Sequence, residues 1–268
     1  MALGYFAFVL AWTWGFWSVP VVLGGDPWVM PNVPFIYAGG AGPLLGGLLF
    51  TYLAGGGAGL RELCARLLDV RRIGPVWWLA VLGLIPLIEA AAAVIAARVS
   101  AAPAAVFAPL IENLADPAMF LALAGFTLLL GPLPEEIGWR GFALDALQAR
   151  FPPIAASLIL AAGWAAWHAP LFLMDGYYSP FGGPPSPVQF AYDILLTTLF
   201  ITWIYNHADR SVLAAVLFHF MGNFSDEIVA SSDTGDMAAT VVTTLVVAAV
   251  IASGGLRAKT ARRRITRM

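Results

Sequence analysis

Charge is what this chain has least of. Only 11% of its 268 residues are Asp, Glu, Lys or Arg, while 60% are hydrophobic and the mean hydropathy is +0.81. Soluble domains carry about a quarter charged residues, so the composition excludes a soluble globular protein and indicates a polytopic membrane protein. Cysteine is scarcer still. The single Cys64 excludes an internal disulfide, and with no metal-binding companion nearby it reads as an ordinary small residue. No repeat of 20 to 50 residues and no dividing linker is visible, so residues 1-268 are expected to form a single integral membrane domain.

What the chain has in abundance is long apolar runs. Windows of about 20 residues, the helix length that crosses the hydrocarbon, pick out eight segments near 2-23, 34-55, 76-98, 118-134, 153-173, 189-207, 211-230 and 237-254. Each is continuously apolar, whereas barrel strands are about ten residues long and alternate. The expected fold is therefore all-α, a polytopic transmembrane bundle of about eight helices. The first segment lacks a basic leader and is rich in Trp, so it reads as a retained anchor rather than a signal peptide.

The basic residues sort by side. With both termini cytoplasmic, 13 of the 14 Lys and Arg fall in the inner loops 56-75, 135-152 and 207-210 or in the tail from Arg257, and only Arg98 lies at an outer end. That is the positive-inside pattern. It predicts an integral protein of a bacterial inner membrane, and makes the basic tail a topology signal first and a contact for membrane lipids second. Because the charges are sorted, the net charge of -2 says nothing about partners, and no nucleic-acid role is expected.

One stretch departs from this background. "GPLPEEIGWRGF", residues 131 to 142, sets Glu135, Glu136 and Arg140 beside an apolar run. Pro132 and Pro134 disfavour continuing the fourth helix. A helix restarting after Pro134 has both glutamates in its first turn, where the free N-H groups favour anions. Glu136 and Arg140 are four apart, so they share a face and can pair. Glu135 is rotated by about 100° and left available. By itself the stretch fits equally well a helix capped where it leaves the membrane.

Two further segments carry polar groups that are costly in a bilayer. "GWAAWHAP" places His168 in the fifth segment, and "LFHFMGN" places His219 and Asn223 in the seventh. The third histidine, His207, falls in a short inner loop and reads as a solvated bystander. If the fourth and fifth helices turn around "RFPP", Glu135 and His168 each lie about 22 Å from the turn at 1.5 Å per residue, and an antiparallel hairpin brings them level. His219 and Asn223, four apart, share one face and can converge on the same cavity, with "GFALDALQARF" continuing past the membrane surface.

These patterns, Glu135-Glu136-x-x-x-Arg140, Trp164-x-x-x-His168 and His219-x-x-x-Asn223, resemble the three motifs of the CAAX prenyl protease type II and bacteriocin-processing (CPBP, or Abi) intramembrane peptidases. The second motif usually opens with Phe, and Trp164 keeps an aromatic wall there. The resemblance covers about residues 135 to 223, with 118-230 as the motif-bearing core, and implies hydrolysis of a peptide bond in a membrane-associated protein or peptide that reaches the cavity from the membrane or cytoplasm. On that reading Glu135 activates a water, His168 positions it, His219 and Asn223 donate to the oxyanion, and Glu136 with Arg140 stiffens the base-bearing helix. Zinc held by Glu135, His168 and His219 is the alternative use of the same side chains, but no HExxH is present and metal-free chemistry is favoured. Two other classes remain: a transporter, which predicts polar faces or inverted repeats elsewhere, and a catalytically silent membrane immunity or binding protein. Outside the core the segments are nearly bare, with Glu89 the main exception.

Overall fold

The computed structural model describes residues 1–99, 107–230 and 232–256. The six basic residues of the tail, which contribute to the expected orientation, lie outside them. Among the described residues the chain is all helix and turn, the expected all-α bundle. In chain order the helices are α1 (Ala2–Leu23), α2 (Val33–Gly40), α3 (Gly42–Leu68), α4 (Pro75–Val99), α5 (Ala108–Leu114), α6 (Pro117–Leu130), α7 (Pro132–Gly138), α8 (Leu144–Gln148), α9 (Pro153–His168), α10 (Pro187–His207), α11 (Val212–Ile228) and α12 (Asp233–Ala252).

Seven helical stretches are long and apolar enough to cross a membrane. The eighth expected segment is α11, a shorter helix of 17 residues that carries the polar residues of the third motif. Several starts follow local chemistry. Asp116, Ser211 and Ser232 accept from backbone N-H groups at the beginnings of α6, α11 and α12, satisfying donors that hydrocarbon cannot.

The bundle has two packed halves. Tyr5, Val9 and Trp17 of α1 join Trp139, Phe142, Leu144, Leu160, Trp164 and Trp167 in one core. Val81 and Ile88 of α4 join Phe200, Ile201, Ala215, Phe218 and Val247 in the other. The aromatic first segment is tied laterally: Trp12 and Trp17 donate to the carbonyls of Ala38 and Ile36 on α2, at 2.8 and 2.9 Å, so that buried indole N-H groups do not go unpaired.

The fourth segment breaks where the prolines indicate. α6 ends at Gly131, at φ -115° and ψ -91°, and α7 restarts with Pro132 at its first position rather than after Pro134. None of the 14 residues of α6 is buried, whereas Glu135 to Ala143 are all buried. Between α7 and α8 the helix widens into a π-turn, Trp139–Ala143, in which the Leu144 amide reaches back five residues to the Trp139 carbonyl.

Two stretches expected as inner loops from their charges are helical. Residues 57-68 continue α3 beyond a bend at Gly56, and 135-148 is helix that is largely buried. The physical reason is that their charges have protein partners. Asp145 accepts from Arg66 Nη1 at 2.7 Å, from Arg210 Nε at 3.1 Å and from Arg210 Nη2. Arg66 also donates to the Tyr205 hydroxyl at 2.7 Å and to the Gly141 carbonyl at 2.5 Å. His207 is likewise not simply solvated: it is half-buried, 4.9 Å from the Trp77 ring, with Nδ1 2.8 Å from the Trp203 carbonyl.

Candidate active site

The site forms where α7, α9 and α11 meet. α7 reaches this position because it lies backbone to backbone against α3. A Cβ on Gly138 would collide with the Pro43 carbonyl and the Tyr5 hydroxyl, and one on Gly47 would stand 2.6 Å from the Ile137 carbonyl oxygen. Small residues at such crossings let transmembrane helices approach closely, and here they place the two glutamates inside the protein.

Glu136 is fully buried. Its Oε1 accepts from Arg140 Nη1 at 2.7 Å, the pair expected from the i,i+4 spacing, and lies 3.0 Å from His219 Nδ1 on α11. Glu135 retains 8% exposure, and its Oε2 accepts from the Trp164 indole N-H at 2.7 Å. The Arg140 guanidinium stands over the Trp164 ring at 4.9 Å. One turn along α9, His168 has Nδ1 3.0 Å from the Trp164 carbonyl and packs edge-on against Trp167 and Phe190.

These contacts assign the imidazole protons. A carbonyl only accepts, so His168 Nδ1 carries the hydrogen and Nε2 of the neutral ring offers a lone pair. His219 faces a carboxylate through Nδ1, so that nitrogen is also the donor. Its Nε2 then accepts in the neutral ring and donates only in the imidazolium.

The two halves of the "EE" pair thus separate as their spacing indicates: Glu136 is enclosed by Arg140 and His219, and Glu135 sits beside α9. Across the hairpin Glu135 meets Trp164, one turn before His168. Asn223 follows His219 by one turn on α11 and is exposed, near Gly131. Glu89 is remote from this constellation and borders a small cavity with Ser225 and Asp236. Among the described residues no three His, Cys, Asp or Glu side chains stand together so as to hold one metal ion; the zinc set of Glu135, His168 and His219 is not assembled.

Several participants were not legible beforehand. Tyr5, buried beside the motif, comes from a segment with no signature. Trp164 is a hydrogen-bond donor as well as a wall, and the anchor at Asp145 carried no pattern that marked it.

Residues 117–225, running from α6 into α11, match the family model described as Type II CAAX prenyl endopeptidase Rce1-like. A protein of Methanococcus maripaludis named CAAX prenyl protease 2 is 35% identical over 133 residues, 47% of this chain and 48% of that protein. The motif-bearing core is therefore similar to the type II CAAX prenyl endopeptidases. The chain spans about half the length of the curated relative it matches, and the family model leaves α1 to α5 and α12 outside the matched residues. Within the matched residues lie all six singled out from the motifs: Glu135, Glu136, Arg140, His168, His219 and Asn223.

Proposed function

We propose that the protein is an intramembrane endopeptidase that hydrolyses a peptide bond of a membrane-associated protein or peptide, using a water activated by Glu135. The observation that carries this reading is the division of labour between adjacent carboxylates: Glu136 Oε1 takes both Arg140 and His219, while Glu135 is held by the neutral indole N-H of Trp164, one helical turn before His168.

In the reaction, Glu135 takes a proton from the water as its oxygen attacks the carbonyl carbon, and the Nε2 lone pair of His168 accepts the other O-H and fixes the line of attack. The carbonyl oxygen becomes an oxyanion between Asn223 and His219. Asn223 donates as a neutral amide, and His219 donates through Nε2 as the imidazolium seated on Glu136. The proton on Glu135 then passes to the departing amine. Arg140 pairs with Glu136 at a position where an unpaired charge would be expensive.

No step is routed through zinc, because the three side chains that would ligate it are not drawn together and one oxygen of Glu135 is already taken by Trp164. The name of the Methanococcus maripaludis relative makes a prenylated peptide ending in a CAAX sequence the first substrate to try. Purified protein in lipid vesicles is incubated with that peptide and with its unprenylated counterpart, and the products are read by mass spectrometry. Cleavage by the wild type and not by Glu135→Gln is expected, with activity surviving a chelator that leaves less than about 0.1 zinc per chain. Turnover by Glu135→Gln would overturn the base, and loss on stripping with recovery on zinc alone would overturn the metal-free route.

A further inference from the structure

Trp164 touches four of the five charged or titratable members of the site, all but Glu136. Its indole N-H donates to Glu135 Oε2 at 2.7 Å, its carbonyl holds His168 Nδ1 at 3.0 Å, its ring lies edge-on to His219 at 5.1 Å, and Arg140 caps its face at 4.9 Å. It is also 1% exposed, packed against Trp139 at 6.4 Å between centroids.

We infer that Trp164 is a positioning residue for the proposed base: its indole N-H fixes one oxygen of Glu135 and so sets which oxygen is turned toward the water. This rests on the peptidase reading above. A carboxylate free to rotate about its terminal torsion, which is broad and roughly two-fold, offers its second oxygen over a range of directions. A short charge-assisted bond to one oxygen restricts that range, and the reacting geometry tolerates little looseness.

The contacts also connect the two adjacent glutamates by a route other than the backbone between them. Glu136 holds Arg140, Arg140 lies on the face of Trp164, and Trp164 holds Glu135. The closed ion pair thereby orients the indole that orients the base. A phenylalanine at this position, as the motif usually has, preserves the wall and the contact beneath Arg140 but has no hydrogen to donate. The tryptophan is a feature of this chain's own site.

The test removes the hydrogen and leaves the shape. Trp164 is replaced by 3-benzothienylalanine, in which sulfur stands for N-H, and separately by Phe. The isostere is expected to melt as the wild type does, to lose about ten- to a hundredfold in kcat, the range for a hydrogen bond to a charged group, and to keep KM within about twofold, since the bond acts on the reacting group rather than on substrate binding. A second readout is independent of turnover. The indole N-H resonance of Trp164, assigned by its absence in Trp164→Phe, should move upfield in Glu135→Gln, where a neutral amide replaces the carboxylate. Wild-type kcat in the isostere alongside an inactive Glu135→Gln would overturn the positioning role and leave the base standing. Retained turnover in Glu135→Gln would overturn both. An indole resonance unmoved by Glu135→Gln would overturn the hydrogen bond itself, whether or not the isostere folds.

Discussion

Two buried ionic clusters lie within one short stretch of chain, and they are built on opposite plans. At Asp145 two arginines converge on one carboxylate, and Arg66 has further bonds to Tyr205 and the Gly141 carbonyl. At Glu135 and Glu136 there are two carboxylates to one arginine, and an indole N-H and a histidine supply the other contacts. An excess of cation makes the first a clasp joining α3, α8 and α10. An excess of carboxylate is what the second offers to the proposed reaction. Burial and charge are common to both, so neither property alone separates them; the balance of carboxylate against cation does.

The contrast predicts that the two clusters fail differently. The largest effect on turnover is expected from Glu135→Gln: a loss of about 10²- to 10⁴-fold in kcat, the usual worth of a positioned base, with the melting temperature unchanged because the amide still accepts from Trp164. A comparable loss of stability would show that Glu135 belongs to a clasp after all. Next is Asp145→Ala, which strands two arginines in a buried position. It should cost about 3 to 5 kcal/mol of stability, read as a lowered denaturation midpoint, while kcat per folded molecule stays within about twofold because no part of the proposed reaction touches Asp145. A selective loss of kcat at unchanged stability would erase the distinction. The smallest effect is expected from Arg71→Ala, whose partner Asp69 lies in solvent. Thermal unfolding should show no shift, since an exposed pair is worth little; a clear destabilisation would mean that exposure is a poor guide to which charges matter.

How the sequence led to these clusters differs between them. The eight apolar runs became helices nearly residue for residue, because continuous apolar stretches have one solution in hydrocarbon. Glu136 and Arg140 were readable as a pair because an i,i+4 spacing is local. Asp145 and Arg66 are 79 positions apart, and no local rule joins them; Arg66 looked like one more inner-loop cation. The same limit hid Tyr5, which reaches the motif only because Gly138 has no side chain. Trp164 was visible as an aromatic, but whether an indole N-H finds a carboxylate depends on the rotation of two helices, which composition and spacing do not fix. The cytoplasmic placement of the termini rested on loop charges, several of which now have buried protein partners, so a reporter fused to the C-terminus is the direct measure of it.

The π-turn at Trp139–Ala143 carries a consequence of a different kind. One additional residue in a turn rotates everything after it by about 100° relative to an unbroken α-helix. The phase between Glu136 and Asp145 is therefore set by how many residues separate them as much as by what those residues are. Remove a single residue from this turn and every side chain of both clusters would still be present, yet the reaction centre and its clasp would be out of step. In this segment, length is itself a coded quantity.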